Sequence, residues 1–333
     1  MLSLKEFFEK KPNIKVIVNA GKGGLGKTTS SAAMSYWFAK NGKKPLCFST
    51  DPQASLSDIF EMDIFGKGII EIEKNLFVVE IDADKRIKEF QEEVRNKIKT
   101  MYGINEIPEE IDEYIETSAY EPAMHESATY DAMADLLSKG EFNPYVFDMP
   151  PFGHGVRMVS MARILDAWID KMEETRRKSA EYAQAAAYLK GISSKTEEDI
   201  LKELRSIREK LDFFREVLTD PDACAFFMVI IPEKMAILDT ERAIEMFRKL
   251  DIEMAGVIVN QVYPRELLER PDVGEFLKRR VEMQQAYLKE IKEKFGDYVR
   301  AVVPMFDREP KGMEMIAKVA EHLFEKPGLE VFE

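Results

Sequence analysis

"KVIVNAGKGGLGKTTSSAAMSYWFAK", residues 15–40, decides the fold. It opens on the apolar run Lys15–Ala20, crowds glycine into positions 21, 23, 24 and 26, and continues into an alanine- and serine-rich stretch. Glycine at that density disfavours a helix or strand interior and favours a loop whose backbone approaches something closely. Gly21 to Thr28 fits G-x-x-x-x-G-K-[ST], placed after a strand and before a helix as that pattern requires. In such a loop Gly23, Gly24 and Gly26 let backbone N–H groups close around phosphate oxygens at a helix N-terminus, where the dipole also favours an anion. Lys27 is then placed to reach β- and γ-phosphates, and the Thr28 hydroxyl to ligate Mg²⁺. Gly21, Lys22 and Thr29 complete the expected nucleotide contacts. No N-K-x-D guanine-reading sequence follows any apolar run, so the expected nucleotide is ATP. Lys22 is a second lysine in a loop where one suffices to hold a phosphate.

Outward from this loop the chain alternates short apolar runs with helical stretches. Runs at 15–20, 45–50, 76–81, 145–149, 226–231, 256–260 and 298–304 are mostly continuous rather than alternating, as in a parallel sheet covered on both faces. The expected fold is therefore α/β, a doubly wound and mostly parallel sheet. Two connections, about 84–140 and 155–218, are too long for plain crossovers and rich in helical pattern. They are read as one helical subdomain inserted at the carboxyl edge of a single domain spanning 1–333, the edge where ligands sit in such sheets.

Composition sets outer limits. The 333 residues allow a sizeable core, and 45% hydrophobic with 33% charged residues reads as globular rather than disordered. A net charge of −13 argues against nucleic acid as a partner, which basic patches would bind. Cys47 and Cys224, the only cysteines, lie in apolar stretches and read as small buried hydrophobes rather than a disulfide or metal pair. The N-terminal "MLSLKEFFEKKP" carries charge where a signal peptide needs an apolar core, and no apolar run approaches the about 20 residues of a membrane span. The expected location is cytoplasmic.

Lys22 belongs to the variant loop G-K-G-G-x-G-K-T-T, which resembles the deviant phosphate-binding-loop class containing MinD, ParA, nitrogenase iron protein and the ArsA ATPases. The resemblance implies a homodimer in which the extra lysine of one subunit reaches the phosphates bound by the other, much as an arginine finger does. A lysine that merely faces solvent is the plain alternative. Further segments are similar to the ArsA and tail-anchored-protein targeting ATPases. "FSTDPQASLSDIF" (48–60) resembles their first switch, with Asp51 at a strand end where a carboxylate would orient or activate the attacking water. "VFDMPPFGHGVRMV" (146–159) resembles the second switch, with Asp148 as a Mg²⁺-linked carboxylate, Gly153 and Gly155 permitting movement, and His154 assigned no proton transfer. "LTDPDACAFFMVIIPEKMAILDTERAIEMF" (218–247) matches a long family stretch. In "GVIVNQV" (256–262) the resemblance implies an Asn260 amide bonding the adenine edge, and "VPMFDREPKGMEMI" (303–316), with Pro304 and Met305, corresponds to the adenine loop.

The departures are as specific. Bacterial arsenite-pump ATPases join two such loops in one chain and hold metalloid through cysteines, whereas this chain has one loop and no cysteine between Cys47 and Cys224. A soft As(III) ion wants thiolate ligands. The C-x-x-C motif that holds some relatives together through zinc falls on Gly274 and Leu277, neither able to ligate a metal, so no structural zinc is expected. Met158, Met161, Leu165, Trp168 and Met172 form an apolar stripe, and Leu201, Leu204, Ile207, Leu211, Phe214 and Leu218 a second. Plain packing of the two helices is one reading. The family supplies the other, in which Met158, Met161, Leu165 and Trp168 line a groove for a client's hydrophobic tail segment. The resulting expectation is a Mg²⁺-dependent ATP hydrolase, dimeric, carrying tail-anchored membrane protein segments to a possible membrane receptor. An arsenite-type efflux subunit and a MinD- or ParA-like positioning switch stand as the alternatives.

Overall fold

The computed structural model describes residues 1–51, 54–102, 105–118, 122–149, 209 and 212–332. The second-switch residues Gly153, His154 and Gly155, the groove candidates Met158, Met161, Leu165 and Trp168, and Leu201, Leu204, Ile207 and Leu211 of the second stripe lie outside them.

The chain divides into two compact units, Met1–Asp82 with Gly140–Val156 and Val217–Glu333, and Ala83–Lys139 with Arg157–Glu216. The first is built on an eight-stranded sheet. Its strands are β1 (Val16–Ala20), β2 (Leu46–Ser49), β3 (Ile70–Glu73), β4 (Leu76–Glu80), β5 (Tyr145–Asp148), β6 (Cys224–Ile230), β7 (Met254–Val262) and β8 (Val299–Pro304). They are ordered β3-β4-β2-β5-β1-β6-β7-β8. Every pairing is parallel except β3 with β4, so the sheet is mostly parallel as its continuous apolar runs require. β1, β2, β5 and β6 are buried along their whole length.

Alternate residues of the strands point to opposite faces, and each face has its own helices. On one face Ile17, Val146, Phe227, Val229 and Val303 join a core with α1 (Leu4–Lys10), α2 (Lys27–Lys40) and α9 (Gly312–Phe324). The buried stripe of α2 is mostly small, with Ser31, Ala32, Ala33 and Ser35, which lets the helix lie close to the sheet. Trp37 of α2 stacks flat on Phe324 of α9, ring centroids 4.0 Å apart. On the other face Phe226 meets Phe247 of α7 (Lys234–Lys249), and α8 (Glu275–Phe295) buries Val281, Leu288 and Ile291. Each such aliphatic or aromatic side chain contributes ~1.5–3 kcal/mol over leaving it exposed. Helices on both faces make the sheet doubly wound.

The sheet places the functional loop by its topology. From β1 the chain moves to one side, to β2, and later strands β6, β7 and β8 extend the other side. The carboxyl end of β1 is thus the point where strand order reverses, the crevice in which open α/β sheets bind ligands. β3 was not among the expected strands. It is a half-exposed Ile-Glu-Ile-Glu edge strand joined to β4 through Lys74 and Asn75, with Asn75 at φ 65°.

The second unit contains α4 (Ala83–Tyr102), α5 (Glu109–Ser118) and α6 (Pro122–Lys139). Ile87, Ile115, Met133 and Leu137 are buried there. Arg95 of α4 bonds Asp112 at 2.6 Å and approaches Glu116, tying α4 to α5. Among the described residues no helix is long and apolar enough to cross a membrane. Phe214 and Leu218, the described members of the second stripe, are buried.

Candidate nucleotide site

The loop after β1 closes through glycine geometry that other residues would strain. Gly26 is the N-cap of α2 at φ 93°, and it offers no side-chain cap to the first-turn N–H groups. Those donors point at the mouth of the loop, as an anion site needs. A Cβ on Gly21, at φ 150°, would lie 2.6 Å from the Val229 carbonyl oxygen, so strand β6 fits against the loop only because that side chain is missing.

Lys27, on the first turn of α2, is buried, and its ammonium donates to the Lys22 carbonyl at 3.1 Å. Burial pushes its pKa down, and the carboxylates of Asp148 and Asp51 partly offset this. Thr28 donates its hydroxyl to Asp148 Oδ2 at 2.7 Å. Asp148 ends β5 and is nearly inaccessible; burial raises its pKa to about 6, against the opposing effects of the Thr28 hydroxyl and the Lys27 charge. Its Oδ1 is buried without a hydrogen-bond partner among the described residues. Hydroxyl and carboxylate oxygens at this spacing are the donors a hard divalent cation takes.

Asp51 follows β2, and its backbone N–H donates to Ser49 Oγ at 3.2 Å. Ser49 aligns with Asp148 on the neighbouring strand, and its hydroxyl lies 3.5 Å from Asp148 Oδ2. Gly24, Gly26, Lys27, Thr28 and Thr29 line one cavity of about 680 Å³ together with Asn260, Pro304 and Met305. Sequence-distant candidates are thereby brought to a single opening. Asn260 Nδ2 donates to the Leu25 carbonyl at 2.9 Å, so its donor faces the loop backbone in this structure. Lys22 is more than half exposed, its ammonium 3.5 Å from Asp239 Oδ2 on α7. Gly23 is exposed at the tip of the loop.

Several contributors had no place in the sequence reading. Asn19, fully buried one residue before the end of β1, donates to Ser31 Oγ at 2.9 Å and aligns with Asp148 across the β1–β5 pair. Gln261, which lines the cavity, sits at φ 58° in an irregular stretch of β7. The buried Gln284 of α8 holds it there, donating to the Gln261 carbonyl and accepting from the Tyr263 N–H. Glu80, buried at the end of β4, caps α3 (Ser55–Phe60). Asn19, Gln261 and Glu80 share one signal, a polar residue at or next to the end of an apolar run, whereas Gln284 lies within α8 and carries none.

The profile of the anion-transporting ATPases matches residues 14–325. The chain belongs to the ArsA ATPase family. An Aquifex aeolicus protein described as a candidate arsenical pump-driving ATPase is 30% identical over 328 residues, covering 96% of this chain and 81% of its own length. The Dictyostelium discoideum ATPase ASNA1 homolog is 30% identical over 333 residues, covering 96% and 94%. The Schizosaccharomyces pombe ATPase get3 is 26% identical over 315 residues, covering 93% and 91%. ATP hydrolysis is the activity that family membership carries.

Proposed function

We propose that this ArsA-family ATPase is an ATP-gated carrier of hydrophobic tail segments of membrane proteins, working as a homodimer with Mg²⁺. The observation that supports it best is the contrast between the two lysines. Lys27 is buried and turned into its own loop, whereas Lys22 is exposed at the rim of the same site. A cation so placed completes the site only when a second subunit arrives, which couples ATP to dimer closure.

Within one subunit the first-turn N–H groups of α2 hold phosphate oxygens and Lys27 leaves the Lys22 carbonyl for the β- and γ-phosphates. Thr28 and Asp148 would hold Mg²⁺, which would supply positive charge against the transferred phosphoryl group. Asp51 orients the attacking water and accepts its proton. Asn260, Pro304 and Met305 border the base. Closure aligns the two helical subdomains, from about 84–140 and 155–218, into one groove to which Met158, Met161, Leu165 and Trp168 contribute, and hydrolysis releases the load at a membrane receptor.

An arsenite-pump role fits less well. Both cysteines are buried, and burial pushes both thiols far up from their ordinary range, leaving no accessible thiolate for a soft metalloid. The deciding experiment offers a photo-crosslinkable tail-anchor peptide to the full chain with ATP and with ADP, and in parallel measures hydrolysis with arsenite. ATP-dependent capture without arsenite stimulation is the expected result. Absent capture with arsenite-stimulated turnover would overturn the carrier role.

A further inference from the structure

α3 begins without a cap of its own. Its N-cap residue is Ala54, which makes no side-chain bond to the first turn. The missing acceptor comes from another strand. Glu80, the last residue of β4 and nearly inaccessible, accepts from the Leu56 N–H at 2.6 Å through one carboxylate oxygen. The other oxygen accepts from the Ser57 N–H at 3.2 Å and from the Ser57 hydroxyl. Ser57 Oγ in turn accepts from the N–H groups of Ile64 and Phe65, each at 3.2 Å. One carboxylate therefore fastens both the start of α3 and the turn that follows it.

What α3 carries on its N-terminal side gives this clamp its meaning. Asp51 lies between the end of β2 at Ser49 and the start of α3 at Ser55. One end of that short connection is fixed by the sheet: Ser49 is in register with Glu80 on β4 and with Asp148 on β5. The other end is fixed by Glu80. Ser49 Oγ and Ser55 Oγ, 3.5 Å apart, draw the two ends together, and Ser49 Oγ also reaches Asp148 Oδ2. A polar chain thus runs from Glu80 through α3 and Ser49 to Asp148 and Thr28, across three adjacent strands. A buried carboxylate is costly unless fully bonded, and here its partners are the backbone of the segment that presents Asp51.

We infer that Glu80 is a positioning residue for hydrolysis, setting through α3 where Asp51 is presented to the γ-phosphate, without touching nucleotide itself. This role rests on the assignment of Asp51 made above. A preorganised site loses rate steeply with small displacements of such a group, so turnover should respond far more than nucleotide binding.

The test uses the full chain with Glu80→Gln, Asp51→Asn and the double variant, comparing kcat, ATP affinity and thermal melting with wild type. Glu80→Gln replaces one acceptor by an N–H₂ group facing backbone N–H donors. Expected is a fall in kcat of tenfold or more, with ATP affinity within threefold, and no further loss when the change is added to Asp51→Asn. A kcat within twofold of wild type, a loss fully multiplicative with that of Asp51→Asn, or loss of ATP binding in step with kcat would each overturn the inference. Near-normal turnover of Asp51→Asn alone would instead reject the assignment of Asp51, and the positioning role with it. If Glu80→Gln does not fold, Ser57→Ala decides, since it keeps the carboxylate and removes one of its partners. A threefold or larger loss in kcat at unchanged ATP affinity supports the clamp, and unchanged kcat overturns it.

Discussion

Replacing Gly26 by alanine tests how tightly the two sides of the cavity lined by Gly26 and Asn260 are joined. Two costs are legible. At φ 93° the new residue sits in a region that L-residues enter at a cost of ~1–2 kcal/mol. Its Cβ would also lie 2.2 Å from Asn260 Nδ2, the atom that donates to the Leu25 carbonyl. Asn260 is at the end of a short side chain, so it must rotate away and give up that hydrogen bond, about 1 kcal/mol. The substitution should therefore cost about 2–3 kcal/mol in total. In an Asn260→Ala background the clash and the hydrogen bond are both gone, and only the backbone term remains. Urea and thermal unfolding of the two single variants and the double variant give the comparison. The double variant should be less destabilised than the sum of the singles by about 1 kcal/mol. Additivity within about 0.5 kcal/mol would show that Gly26 and Asn260 do not share the contact, and would refute the reasoning. ATP affinity supplies a second readout: Gly26→Ala should weaken it tenfold or more, because the first-turn N–H groups of α2 are re-aimed.

Three further outcomes follow from the site. Mixing Lys22→Ala subunits with Asp51→Asn subunits should restore turnover that neither has alone, because one site in each mixed dimer keeps its own Asp51 and receives an intact Lys22; mixed dimers without activity would refute action across the interface. In protein stripped of metal and nucleotide, the Asp148 pKa is raised from 3.8 to about 6, so the folded state binds the extra proton between those values. Stability from this group is present below pH 4 and declines as pH rises through 6, by about 3 kcal/mol in all. Asp148→Asn should then melt higher than wild type at pH 7.5 and level with it near pH 4, and an equal offset at both would contradict the burial of charge. Elemental analysis of purified protein should find Mg²⁺ only with nucleotide and no stoichiometric zinc; one zinc per two chains would send attention to ligands other than cysteine.

The sheet was legible where burial on both faces writes itself as a continuous apolar run, as at Val16–Ala20 and Cys224–Ile230. β3 escaped because an edge strand needs no such run. Its Ile-Glu-Ile-Glu buries only partly, and the cue left was the Lys74-Asn75 turn with Asn75 at φ 65°. The expected strand at 256–260 extends to Val262, because Gln284 supplies bonds across the irregularity at Gln261 and keeps the polar Asn-Gln pair in the strand. The glycine loop between β1 and α2 could be read as a loop because its parts are contiguous. Glu80 could not, because its partner Leu56 is 24 residues away and nothing local marks the pair.

The same distinction explains the carboxyl edge of the sheet beside the glycine loop. Asn19 is the last residue but one of β1 and Asp148 closes β5, while Thr50 directly follows β2; in sequence each is only a polar residue near the end of an apolar run. Folding sets these strands side by side, and Asn19 Oδ1, Thr50 Oγ1 and Asp148 Oδ1 are then buried together without hydrogen-bond partners among the described residues. Buried polar atoms are almost always bonded, so a concentration of exceptions at one edge calls for a cause. Packing supplies none, since apolar residues of similar size would relieve the cost. Asn19 Oδ1 is a pure acceptor, and Asp148 Oδ1 belongs to a carboxylate that burial keeps reluctant to ionise. The partner that suits them brings positive charge and donated hydrogens at once, as a hydrated divalent cation does. Nucleotide with Mg²⁺ bound here would give these acceptors partners, and its binding should stabilise the sheet edge itself as well as the loop above it.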